Sequence, residues 1–164
     1  MDLGKLALVS NAFQLQLPKG IFLNTRHNGK DNVMTIGWGS IGVMWGKPSL
    51  TVMVRHSRYT NELLANSDIF TVSLPRTGDM AEALEICGRI SGRTINKFEK
   101  ADLTKGDGRT VDAPIVIGCE TQFECRILYR QSMEPTLLVP EIKARSYTNR
   151  DWHVFYIGEI VDCY

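Results

Sequence analysis

The run "TIGWGSIGVMW" at 35–45 constrains this chain more than any other stretch. Gly37, Gly39 and Gly42 reproduce the G-x-G-x-x-G spacing of a dinucleotide-binding turn. That motif works only when a strand precedes it and a helix follows whose N-terminal amides face a pyrophosphate. Here the next residues are Val43, Met44, Trp45, Gly46, Lys47 and Pro48. β-branched and aromatic residues run into a turn, and no helix of useful length fits before Pro48. The motif is therefore not read as a nicotinamide site, and Val33 to Trp45 is read instead as one glycine-rich strand.

The rest of the chain follows the same period-two logic. Leu50, Val52 and Val54 alternate with Thr51, Met53 and Arg55, as in a half-buried strand, and Ile69 to Leu74 is a second β-branched run. Ile21 to Asn24 is a short apolar strand leading into "HNGKDN", where Asn28-Gly29 is a strong hairpin signal. Glu120, Gln122, Glu124 and Arg126 alternate with Thr121, Phe123, Cys125 and Ile127, and Trp152 to Val161 is an apolar run with Gly158 near its middle. Helical signals are short. Ser57 or Thr60 is the expected N-cap of a two-turn helix through Leu63 and Leu64. Met80, Ala83, Leu84 and Cys87 form one stripe, which Gly88 is expected to interrupt. "SGRTINKFEKADL" reads as a short helix and loop, and 104–114 as a polar surface loop. Six or so strands with short helical inserts and no βαβ rhythm predict a mainly β, antiparallel barrel, and the 164 residues a single domain.

Composition narrows the class of function. A net charge of +1 with scattered basic residues gives no electrostatic reason to expect a nucleic-acid partner. The apolar run Leu6 to Val9 is too short for a signal-peptide core or a membrane span, so no membrane partner is expected and the cytoplasm is the default location. Cys87, Cys119, Cys125 and Cys163 form no C-x-x-C pair, and His27, His56 and His153 are dispersed; buried free thiols and no metal site are the expectation.

Four stretches in order, "NVMTIGW" at 32–38, "RHSRYT" at 55–60, "CGRISGRTINKF" at 87–98 and "HVFYIGEI" at 153–160, together resemble the flavin reductase-like family, in particular its flavoredoxin branch. The resemblance runs from about residue 17 to residue 162. It implies an FMN-binding split β-barrel, a homodimer, and redox work through a noncovalent FMN. Two activities follow from it: an NAD(P)H-dependent flavin reductase, or an electron-transfer flavoredoxin that receives electrons from a protein donor. FMN is expected to bind more tightly than FAD or riboflavin.

The resemblance also assigns residues. Asn32 and the segment Met34, Thr35, Ile36, Gly37 and Trp38 would border the flavin, with Trp38 as an apolar wall and the glycine backbone open to a flat ring. Taken without the resemblance, Trp38 is a core aromatic and the glycines mark a bend. Arg55 and Arg58 would supply charge, and Ser57 and Thr60 hydroxyls, to the FMN phosphate; alone, the same run is a capped helix with solvated arginines. Which arginine meets phosphate is left open. In "SGRTINKF", Ser91, Gly92, Arg93, Lys97 and Phe98 match the family's S-G-R-x-x-D-K-F segment, with Asn96 where the family usually has aspartate. Lys97 becomes a cationic contact at the N1–O2 edge of the ring, which would raise the flavin potential; otherwise it is a surface lysine. His153, five residues before Gly158, contacts FMN or substrate at the barrel mouth, or is a structural histidine.

Overall fold

The Asn28-Gly29 turn forms as its residues demand, with φ of 49° and 71°, the left-handed pair a two-residue hairpin needs. It joins β1 (Ile21–His27) to β2 (Lys30–Ile36), and the pairing of Ile21 with Ile36 through His27 with Lys30 puts Ile21, Leu23, Met34 and Ile36 on one face. The computed structural model describes residues 3–164. In it, β3 (Gly39–Met44) and β4 (Lys47–Arg55) form a second hairpin through Trp45-Gly46, and β5 (Ile69–Leu74), β8 (Thr121–Ser132) and β9 (His153–Cys163) complete a seven-stranded sheet in the order β2-β1-β5-β8-β9-β4-β3. Every pairing is antiparallel.

The stretch read as one strand from Val33 to Trp45 is two. It breaks at Gly37-Trp38, and its halves lie at opposite edges of the sheet. Two residues can join opposite edges only if the sheet curls round on itself. The barrel stays split, since β2 and β3 share no ladder.

Inside the curl, Leu23, Ile36, Leu50, Val52, Phe70, Phe123 and Tyr156 pack with Leu6 and Phe13 of α1 (Leu3–Gln16), and Phe13 meets Phe123 edge-on at 6.1 Å. On the outer face, Phe22 and Val33 are covered by Ala83, Leu84 and Cys87 of α3 (Ala81–Arg89), Phe98 of α4 (Lys97–Lys100) and Val116. Strands such as β1 are thus buried on both faces. The expected stripe of α3 is correct in its buried residues, but Gly88 does not interrupt the helix, which runs on to Arg89. The segment 104–114 is more than a loop: β6 (Lys105–Asp107) pairs with β7 (Pro114–Val116), and the two close over the sheet. This cover is why Gln122 and Glu124, expected on a polar face, are buried. Glu124 accepts the amides of Arg109, Thr110 and Val111 and the Tyr164 hydroxyl. The four cysteines are free thiols, Cys119 being half-buried and the others buried. Among the described residues, no helix is long and apolar enough to cross a membrane.

Candidate functional site

The site sits where the β2–β3 link passes the ends of β4 and β9. Registry sets it up: Arg55 pairs with His153, so both side chains leave the same face of the sheet, and Met53, two residues earlier, joins them. With Met34 to Trp38 they line a cleft of about 190 Å³. The three glycines of the opening run serve different ends. A Cβ on Gly39 would lie 2.4 Å from the Thr51 carbonyl, so that glycine permits β3 to approach β4. At Gly42 the space is open, and at Gly37 the nearest atom is the Leu17 carbonyl at 3.6 Å. Gly37 therefore offers bare backbone to the cleft, beside a Trp38 ring that is 44% exposed.

The polar groups around this cleft are held firmly. Arg55 donates to the carbonyls of Asp151 (2.6 Å) and Ser146 (3.0 Å), with its guanidinium 5.1 Å from the Tyr147 ring centre and 6.0 Å from that of Trp38. His153 Nδ1 lies 2.7 Å from the Tyr147 hydroxyl, and its ring is 5.1 Å from Trp38. Burial, reinforced by the Arg55 charge, pushes the His153 pKa down to about 4, so the imidazole is neutral at pH 7. Thr35 borders the cleft while its hydroxyl donates to the Leu84 carbonyl at 2.6 Å, tying β2 to α3.

Arg58 also lines a second cleft, of about 100 Å³, whose walls carry Ser57, Thr60, Ser91, Arg93 and Lys97. The two clefts thus adjoin at Arg58. The helix expected after "RHSRYT" is α2 (Tyr59–Ala65), but its N-cap is Arg58, not Ser57 or Thr60, and makes no side-chain cap. The two hydroxyls are used otherwise. Ser57 donates to Asp151 through both its amide (3.1 Å) and its hydroxyl (2.6 Å), and the Thr60 hydroxyl accepts from Asn32 Nδ2 at 2.8 Å. Asn32 stands behind the wall: a Cβ on Gly92 would sit 2.0 Å from its Oδ1, so Gly92 lets the 91–93 turn close over it. Arg58 donates to the Gly88 carbonyl at 2.6 Å. Lys97, only 4% exposed, donates to the Cys87 carbonyl at 3.2 Å, and burial, with the Arg58 charge acting the same way, pulls its pKa down to about 8. Lys97 is therefore a buried lysine of the hydroxyl cleft, not a surface one.

The donor set suits a planar ring joined to a dianion. Bare backbone and an indole face flank the first cleft, while four cationic residues and the hydroxyl-bearing Ser57, Thr60 and Ser91 line the second. Of the site residues named from the sequence, all but Asn32 line one of the two clefts, and Asn32 is buried behind them. Met53, Tyr147, Asp151 and Arg93 were not selected. The alternation of β4 puts Met53 with Arg55, a signal the sequence did contain; Tyr147 and Asp151 lie on the segment after α5 (Pro140–Ser146), which only the fold brings to Arg55.

Comparison with known proteins identifies the family. Residues 15–164 match the family model described as flavin reductase like domain. An uncharacterized protein of Archaeoglobus fulgidus is 31% identical over 135 residues, 82% of this chain and 75% of that protein. Flavoredoxin from Methanosarcina acetivorans superposes with a TM-score of 0.67 at 29% identity, over 88% of this chain and 67% of that one. Flavoredoxin of Desulfovibrio vulgaris (Miyazaki F) gives a TM-score of 0.69 at 24% identity, over 88% and 68% of the two chains. The chain belongs to the flavin reductase-like family.

Proposed function

We propose that this chain binds FMN across the two adjoining clefts and acts as an NAD(P)H-dependent flavin reductase. The observation that carries the reading is the shared Arg58, which joins a cleft of bare backbone and indole to one of cations and hydroxyls. Bound FMN supplies the electron chemistry. The chain's own residues orient and bind. Gly37 and Trp38 flank the ring, His153 offers a neutral imidazole held by Tyr147, and Arg58, Lys97 and Ser91 receive the phosphate. This assignment moves Lys97 from the ring edge to the phosphate and favours Arg58 over Arg55, because Arg58 lines the hydroxyl cleft and Arg55 lines only the first. The exposed wall at Trp38 supports direct access of a nicotinamide to the ring.

Titration of the apo-protein with FMN and riboflavin tests binding. FMN saturates at micromolar concentration, and Arg58→Met weakens FMN by about tenfold to a hundredfold while sparing riboflavin. Equal losses for both ligands would assign Arg58 to folding. Mixing the holo-protein anaerobically with NADH or NADPH then tests the activity: a reductase loses its flavin absorbance and turns over excess free FMN at about 1 per second or faster. The 29%-identical flavoredoxin favours a second reading, an electron carrier fed by a protein donor. That protein would stay oxidised with both nicotinamides and be reduced by dithionite.

A further inference from the structure

Tyr147 and His153 share one hydrogen bond, and which of them donates it decides what His153 shows to the first cleft. Tyr147 is buried, and among the described residues its hydroxyl has no partner besides His153 Nδ1 at 2.7 Å. If Nδ1 carried the proton and donated it, the phenolic O–H would be buried with no acceptor, an arrangement that folded chains avoid. The hydroxyl therefore donates and Nδ1 accepts. In the neutral ring the proton then sits on Nε2.

The surroundings hold both partners in these roles. Burial keeps the Tyr147 phenol protonated, so it has a proton to give. A second proton on the imidazole is opposed first by burial, then by the Arg55 charge on β4 and by His56 beside it, while the Asp151 carboxylate alone acts the other way. Tyr147 itself has little freedom to turn. Its ring stacks on Trp152 at 4.9 Å, and Arg55 ties the segment that carries it to β4 through the carbonyls of Ser146 and Asp151. His153 lines the first cleft, and among the described residues its Nε2 has no hydrogen-bond partner.

We propose that Tyr147 is a positioning residue that fixes His153 as an Nε2–H donor to the first cleft, which then selects a ligand edge bearing a carbonyl oxygen or an unprotonated ring nitrogen. The selection rests on the reading that this cleft takes the flavin ring. The place of the proton on His153 does not depend on it.

Two-bond 1H–15N correlation spectra of the apo-protein, labelled with 15N-histidine, read the tautomer directly. At pH 7 the His153 signals, identified by their loss in His153→Ala, show a protonated Nε2 and a bare Nδ1. In Tyr147→Phe the ring exchanges between its two neutral forms, and the two nitrogen shifts move toward each other. Riboflavin, which has the ring and no phosphate, is the binding probe beside FMN. Tyr147→Phe weakens both by about threefold to tenfold, and adding it to His153→Ala costs nothing further. Thermal melts confirm that the variants fold, and the wild-type spectrum decides the tautomer even where one does not. A proton on Nδ1 in the wild type, a tautomer unchanged in Tyr147→Phe, or additive losses in the double variant would overturn the proposal. Failure of the wild-type chain to bind either flavin would instead overturn the flavin reading, and the selection with it, while the spectrum still tests the proton's place.

Discussion

Lys97 holds its proton weakly in a cleft that is already cationic. Burial lowers its pKa to about 8, and a phosphate dianion beside it would restore the ordinary affinity for the proton. Above pH 8 the apo-protein has a neutral lysine and must take up a proton on binding FMN. FMN affinity is therefore expected to fall by up to about tenfold per pH unit above pH 8, while riboflavin affinity is unaffected, and Lys97→Met should abolish the difference. Parallel titrations at several pH values check this. Glu124 makes the opposite case. Burial raises its carboxyl, but the amides of Arg109, Val111 and Thr110 and the Tyr164 hydroxyl outweigh that and leave it below the usual 4.5. A depressed folded pKa stabilises above the unfolded value, and the contribution is lost as pH falls through the lowered one. Glu124→Gln should cost about 2–3 kcal/mol at pH 7 in a urea titration, since charge-assisted bonds are lost, and less at pH 3. The site residues were readable where charge and hydroxyls share one run, as in "RHSRYT". Tyr147 and Asp151 were not, because their roles come from contacts with Arg55 and Ser57 across about ninety residues of chain.

At the scale of elements, local pattern identifies strands but not their partners. Nothing in "TIGWGSIGVMW" says that Ile36 pairs with Ile21 and Gly39 with Val52, at opposite edges of the sheet. Helix α1 escaped for another reason: its apolar residues surround the axis, so Leu6 and Phe13 are buried while Leu8 is 80% exposed, and no stripe marks the buried side. β8 extends to Ser132, past the predicted Ile127, because register shifts near Cys125 and between Ile127 and Tyr129 break the alternation. The β3–β4 turn carries a cost the sequence does not announce. Trp45 has φ of 52°, a left-handed conformation unfavourable to a bulky residue, and the side chain is 66% exposed. Trp45→Asn supplies a residue suited to that turn and should raise monomer stability by about 1 kcal/mol, measured by chemical denaturation at fixed protein concentration.

The whole molecule displays more apolar surface at one place than it uses. Val43, Met44 and Trp45 on the β3–β4 hairpin are exposed beside Tyr129, whose ring centre is 6.4 Å from that of Trp45. Such a patch is where a second copy would seat, so the expected homodimer should sediment at twice 18.5 kDa at micromolar concentration, and Trp45→Asp should shift it toward the monomer. A wild-type chain sedimenting as a monomer would refute that. The sheet order also dictates a timetable. β9 lies between β8 and β4, so without it β2-β1-β5-β8 and β4-β3 are two separate sheets. As the chain leaves a ribosome, β4 waits with one edge unpaired through the synthesis of everything between Arg55 and His153. During that interval an apolar strand edge is open to chaperones or to other nascent chains, and the barrel can close only after the most distant strand in sequence has slotted into its middle.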